Sequence, residues 1–152
     1  MITNGWTLMA HPCFTEQLAL LKALVDRERG KNASGYKKKA AYKRLLAINK
    51  LTLTVIPNDP SADIFRLGNT LGPMRRHWFR AKFFQQYRLF YRFDSDARVI
   101  VYAWVNDDST KRAYDSKSDA YGVFAKMLDG GNPPDDFDIL LASAASMATS
   151  LP

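Results

Sequence analysis

Apolar positions along this chain follow helical spacing before Pro57 and strand-like alternation after it. In FTEQLALLKALVDRERG, the positions Phe14, Leu18, Leu21, Leu24 and Val25 share one helical face and Gly30 supplies a stop, which predicts a first helix. After the polar break KNASG, the run YKKKAAYKRLLAINKLTL sets Tyr36, Ala40, Leu45, Ile48 and Leu51 or Leu53 near one side. This predicts a second, antiparallel helix that ends before Pro57. Upstream, Asn4-Gly5-Trp6 reads only as an extended start.

Beyond NDPSADIF, runs from Phe65 to Leu71, His77 to Phe84, Tyr87 to Phe93 and Val99 to Val105 predict an antiparallel meander of three or four strands. DSDA is a clear turn between the last two, whereas Gln85-Gln86 is a poor turn signal that leaves the register there least defined. KSDAYGVFAKMLDGG predicts a third helix with Ser118 or Asp119 as N-cap and Gly130-Gly131 as stop. Past Pro133-Pro134, DDFDILLASAASMATSLP predicts one more helix that passes into a loosely ordered Ala/Ser tail, residues 137–152.

Period-two alternation puts Trp78, Arg80 and Lys82 on one face of their strand and Phe79, Ala81 and Phe83 on the other. In the next strand it separates Arg88, Phe90 and Arg92 from Tyr87, Leu89, Tyr91 and Phe93. The apolar rows suit the two helices. The expected architecture is an α+β layer with helices under a small twisted sheet and two cationic rows side by side on an open face.

A chain of 152 residues, 47% hydrophobic and 24% charged, has the size and composition of one globular domain, so residues 1–152 are expected to form a single unit. Its net charge of +7 is uneven. Lys22 to Lys50 carries ten basic residues against Asp26 and Glu28, and Arg66 to Arg98 carries eight against Asp94 and Asp96. The stretch from residue 127 to the end has Asp129, Asp135, Asp136 and Asp138 and no cation, so a polyanion is expected to seek the middle of the sequence. Cys13 alone excludes an internal disulfide and suits a reducing cytoplasm; no signal pattern or membrane-length apolar run stands out.

RRHWFRAKFFQQYRLFYRF, residues 75–93, combines six arginines and lysines with eight aromatic residues and no acid. Cations neutralise phosphates and aromatic faces stack on unpaired bases, so the stretch points to RNA or single-stranded DNA. A hairpin whose rings fill the core and whose arginines face water is the competing reading. Within the stretch His77 alone titrates near neutrality and is a candidate general base, although strand parity points it away from Arg80. His11-Pro12-Cys13 suits a helix entrance better than a nucleophile pair. Asp107, Asp108, Asp115 and Asp119 allow a magnesium reading, but their loose spacing among cations favours capping and ion pairing, and no metal or cofactor is expected.

WFRAKFFQQYRLFYRF followed by VIVYAWV resembles the W-x-R-x-K and Y-R-x-x-x-R hairpin of the RelE/ParE toxin superfamily. NGWTLMAHPCF, WVNDDSTKRAY and KSDAYGVFAKMLDGGNPP together resemble its YhaV branch of type II toxin-antitoxin toxins, over about Asn4 to Pro134. The resemblance implies a RelE-like fold of two N-terminal helices on a small antiparallel sheet. It also implies a cytoplasmic, ribosome-associated endoribonuclease that cuts messenger RNA, inhibits translation and is held inactive by a PrlF-type antitoxin in a hetero-oligomer. Carried over by motif, the site residues are Arg80 and Lys82, Arg88, and Arg112 with Tyr114. Around them, Arg75, Arg76, Trp78, Arg92 and Lys117 are expected to contact RNA. The Ala/Ser-rich end departs from the family's charged ends, and nothing is carried onto it. Gyrase-binding relatives on the same scaffold keep a non-catalytic inhibitor or RNA-binding module as the alternative.

Overall fold

The computed structural model describes residues 1–114 and 116–147. In chain order the elements are β1 (Ile2–Thr3), β2 (Trp6–Ala10), α1 (Pro12–Lys31) and α2 (Ala40–Lys50), which runs through a π turn at Leu51–Val55 into the short α3 (Ile56–Asn58). There follow β3 (Phe79–Phe83), β4 (Tyr87–Asp94), β5 (Val99–Val105), α4 (Ala120–Asp129), α5 (Phe137–Ser143) and β6 (Ala145–Ser146). The fold is α+β. Its sheet runs β1-β2-β5-β4-β3 and is mixed, because β2 pairs parallel to β5 while the other neighbours are antiparallel.

The predicted helix pair is present, but the second helix does not end before Pro57: the helical run continues through Pro57 to Asn58, because the proline sits in the first turn of α3, where its missing N–H is tolerated. Pro12 occupies the first turn of α1, and the His11 ring accepts a hydrogen bond from the Cys13 amide, so His-Pro-Cys serves as a helix entrance. Burial lowers the His11 imidazole below its usual range, and burial together with Glu16 pushes the Cys13 thiol up, opposite to what a nucleophile pair needs. At the π turn the Thr52 hydroxyl bonds back to the Ile48 carbonyl and the Tyr102 hydroxyl donates to the Thr52 carbonyl at 2.7 Å. Polar groups displaced from the helical ladder thus find buried partners.

Strand parity places Ala81, Leu89, Tyr91, Ile100 and Tyr102 against Phe14, Leu18, Leu45 and Ile48 of α1 and α2, as expected. The opposite face differs from the expectation. Trp78, Phe90, Val101, Ala103 and Trp104 lie under Tyr121, Phe124 and Leu128 of α4 and Leu140 of α5, so the face predicted to be open is a second core. Phe124 stacks on Phe90 at 4.2 Å and on Trp104 at 5.8 Å, and meets Trp78 edge-on at 5.0 Å. Phe90 is the reason: an aromatic ring between two arginines leaves too much apolar surface to stay wet.

Three other expectations are corrected. The extended start is a full strand, with Trp6, Leu8 and Ala10 buried in alternation, which makes the sheet mixed rather than a pure antiparallel meander. Residues 65 to 71 form no strand, since the backbone bends into a 3₁₀ turn at Asp63–Phe65, and Gly68 at φ 64° ends the single bridge from Arg66 to Phe79. The Ala/Ser-rich end is tied down through Met147: Leu140 and Met147 are buried and β6 pairs with Met9 and Ala10 of β2. Residues 148–152 of the expected tail lie outside the described residues.

Phe124→Ala tests the second core. Urea unfolding is expected to show a loss of about 3–5 kcal/mol, against less than about 0.5 kcal/mol for the exposed Ile64→Ala. Equal small losses would show that α4 is not packed on the sheet.

Candidate active site

Arg80 sits in β3 and Arg88 in β4, each on the face that α4 covers. The β3–β4 pairing sets Lys82 opposite Arg88 and Arg80 opposite Phe90. Both arginines donate Nε–H to one atom, the Tyr121 hydroxyl oxygen, at 3.0 Å each. Tyr121 was not among the residues read from the sequence. It lies in the first turn of α4, where the stretch AYGVF signals only a helix face.

The loop after β5 brings the third guanidinium. Arg112 lies 4.8 Å over the Tyr121 ring and 3.9 Å over that of Tyr114, which is exposed. Asp119 joins the loop to the helix: it caps Tyr121 N at 3.2 Å while accepting from Arg112 Nη1 at 2.6 Å and from Ala113 N at 2.7 Å. Burial works to raise the Asp119 carboxyl. Hydrogen bonds from Arg112 and from the amides of Ala113 and Gly122, with the Arg112 charge, outweigh it and hold the group below its usual range.

The charge balance of this cluster is unusual. Arg80 and Arg88 are 8% and 7% exposed, yet their other partners are backbone carbonyls: Ile64 and Arg66 for Arg80, Gln85 and Tyr87 for Arg88. Among the described residues neither meets a carboxylate within ion-pair distance. A buried cation without a counter-charge costs several kcal/mol, and such a group is a standing anion site.

The hairpin tip is built into the same cluster. Phe84 at φ 47° and Gln85 at φ 64° take left-handed backbone without glycine. Arg88 Nη1 holds the Gln85 carbonyl at 2.7 Å, while Arg112 N and Asn106 Nδ2 hold that of Gln86 at 2.8 and 3.0 Å.

Other expected RNA contacts are used differently. Trp78 is fully buried against Phe124, and its indole N–H donates to Asp135 at 2.7 Å, so it leaves the RNA-facing set. Asp135 also meets His77 Nε2 at 3.1 Å, which turns that imidazole toward the C-terminal segment rather than toward Arg80. Arg75 pairs with Asp129 at 2.6 Å, and Arg92 lies between the Trp78 and Phe137 rings and donates to the Asp135 carbonyl. The acidic end folds onto the basic middle and neutralises part of it. Arg76, Lys82 and Lys117 are exposed, with Arg76 Nε donating to Asn69.

Three of the four carboxylates of the magnesium reading are otherwise engaged. Asp107 caps the turn at Asp108–Thr110, Asp108 meets Arg44 and Lys111, and Asp119 holds Arg112; Asp115 lies outside the described residues. Among the described residues no three His, Cys, Asp or Glu side chains group as a metal site, and no helix is long and apolar enough to cross a membrane.

Residues 8–145 match a family described as a toxin with endonuclease activity, of a toxin-antitoxin system. The chain belongs to the YhaV toxin family. The ribonuclease toxin YhaV of Escherichia coli strain K12 is 44% identical over 139 residues, 90% of either chain, and toxin YhaV of E. coli O157:H7 matches to the same extent. No solved structure matches. As a YhaV toxin, the protein is the endonuclease of a toxin-antitoxin pair and has an antitoxin as partner.

The Asp119 contacts predict a pH signature. Its folded-state pKa lies below the unfolded value of about 3.9, so the carboxylate stabilises the fold above that pH and its contribution is lost as pH falls through the folded value. The difference in Tm between the parent and Asp119→Asn should therefore be full near pH 6 and shrink toward about pH 2. A difference independent of pH over that range would remove Asp119 from the network.

Proposed function

We propose that this toxin is an endoribonuclease that cleaves messenger RNA through attack of the 2′-hydroxyl, with guanidinium groups rather than a metal ion carrying the charge of the transition state. The observation that carries the reading is the pair of buried arginines, Arg80 and Arg88, gathered on one phenol oxygen with no carboxylate at ion-pair distance among the described residues. A phosphodiester supplies the missing negative charge, and the demand for it grows as the phosphorane forms. Its relative in E. coli K12 is named a ribonuclease toxin.

In this reading Arg80 and Arg88 clamp the scissile phosphate. Lys82, exposed and paired across from Arg88, takes the 2′-hydroxyl proton. Arg112 and the exposed Tyr114 hold the flanking base and deliver a proton to the leaving 5′-oxygen. Arg76 and Lys117 extend the contact to neighbouring phosphates. The products are a 2′,3′-cyclic phosphate and a 5′-hydroxyl.

The wider setting belongs to the same proposal: a cytoplasmic toxin acting at the ribosome, arresting translation, and neutralised by a PrlF-type antitoxin in a hetero-oligomer. We place the fold in the RelE-like arrangement, because α1 and α2 precede an antiparallel β3-β4-β5 unit that carries the basic residues.

The test is to express the chain from a tight promoter, map new 5′ ends in cellular RNA, and assay the purified protein on single-stranded RNA. Arg80→Ala is expected to cut about 100- to 1000-fold more slowly, while Arg27→Ala, on the exposed face of α1, cuts as the parent does. Growth arrest without new ends, or full cleavage by Arg80→Ala, would refute the assignment.

A further inference from the structure

Resting on the ribonuclease reading, we infer that Tyr121 is the positioning residue of the site: its hydroxyl oxygen and ring set the two phosphate-clamping guanidiniums and Arg112 in register with one another.

The two Nε atoms lie 3.0 Å from one oxygen, so they stand no further apart than twice that distance, although their strands and χ angles would allow far wider spacing. An arginine carries five N–H groups in a rigid fork, and fixing Nε fixes the orientation of the other edge. Here Nε goes to Tyr121 and Nη1 to backbone carbonyls, and among the described residues neither Nη2 has an acceptor. One nitrogen of each fork, Nη2 with its two N–H groups, is therefore left for an anion.

The ring acts on the third cation. Arg112 lies 4.8 Å and Arg88 5.7 Å from the centroid of the Tyr121 ring, so one aromatic group attracts both cations electrostatically. Tyr121 is itself held by the α4 N-cap, because Asp119 accepts both the Tyr121 amide and Arg112. Loop, helix and hairpin thus meet at one side chain.

Tyr121→Phe keeps the ring and removes the shared acceptor. On a single-stranded RNA that the parent cleaves, the variant is expected to lose about 10- to 100-fold in kcat with KM changed less than about threefold, the penalty of misaimed rather than missing groups. The same loss is expected on RNA whose scissile 5′-oxygen is replaced by sulfur, a leaving group that needs no proton. An unchanged kcat overturns the inference and leaves Tyr121 a packing residue. Selective recovery on the sulfur substrate also overturns it, since Tyr121 would then be the proton donor. If the parent itself cuts no RNA, the ribonuclease reading fails instead.

A melting curve checks that the variant is folded at the assay temperature. Should it not fold, hydrogen exchange in the parent decides: the Nε–H signals of Arg80 and Arg88 are expected to exchange far more slowly than that of exposed Arg27. Exchange at the Arg27 rate would show that the shared acceptor is not in place.

Discussion

Two buried positive charges that are satisfied by hydrogen bonds but, among the described residues, not by negative charge underlie the arrangement of this molecule. Hydrogen bonding and charge neutralisation are separate requirements. Carbonyl and phenol oxygens fulfil the first for Arg80 and Arg88, and so allow them to be buried, but they leave the second unmet. Other arginines meet carboxylates, among them Arg44 with Asp108, Arg75 with Asp129 and Arg112 with Asp119. Two neighbouring arginines with no carboxylate at ion-pair distance among the described residues keep an anion site ready, at a cost that the surrounding cores must offset.

The second core performs that service. Phe124 and Leu128 cover the strand face from which Arg80 and Arg88 project, and the same helix begins with the Asp119 cap and Tyr121. Packing and electrostatics therefore share α4. Its apolar turns hold the helix down, and its first turn places the phenol between the arginines. The acidic C-terminal segment has a related role, since Asp129 pairs with Arg75 and Asp135 with His77 and Trp78, which withdraws these side chains from a passing polyanion.

Much of this was legible in the sequence. Helical spacing gave the positions of α1, α2 and α4, and strand parity assigned the inward rows of β3 and β4 correctly. The family motifs singled out Arg80, Arg88 and Arg112, which the fold brings together. What escaped reading depends on contacts between distant segments. Trp6, Leu8 and Ala10 alternate over only five residues, too short a signal beside Asn4-Gly5, and nothing local says that β2 will pair parallel with β5. Trp78 looked available for bases because its cover, Phe124, lies more than forty residues away. Tyr121 was hidden for the same reason: a tyrosine on a helix is unremarkable until two strands bring arginines to its hydroxyl.

The hairpin between β3 and β4 turns without glycine or asparagine, and Phe84 and Gln85 hold left-handed backbone that their side chains disfavour. Its carbonyls are gripped by Arg88, Arg112 and Asn106. Turn and cationic cluster are consequently one mechanical unit: the tip is held by the Arg88 guanidinium and the Arg112 backbone amide, and Arg88 is in turn oriented by the tip carbonyl it bonds. Sequence drift at this tip is constrained by chemistry lying behind it, and a loop lengthened by even one residue would release both at once.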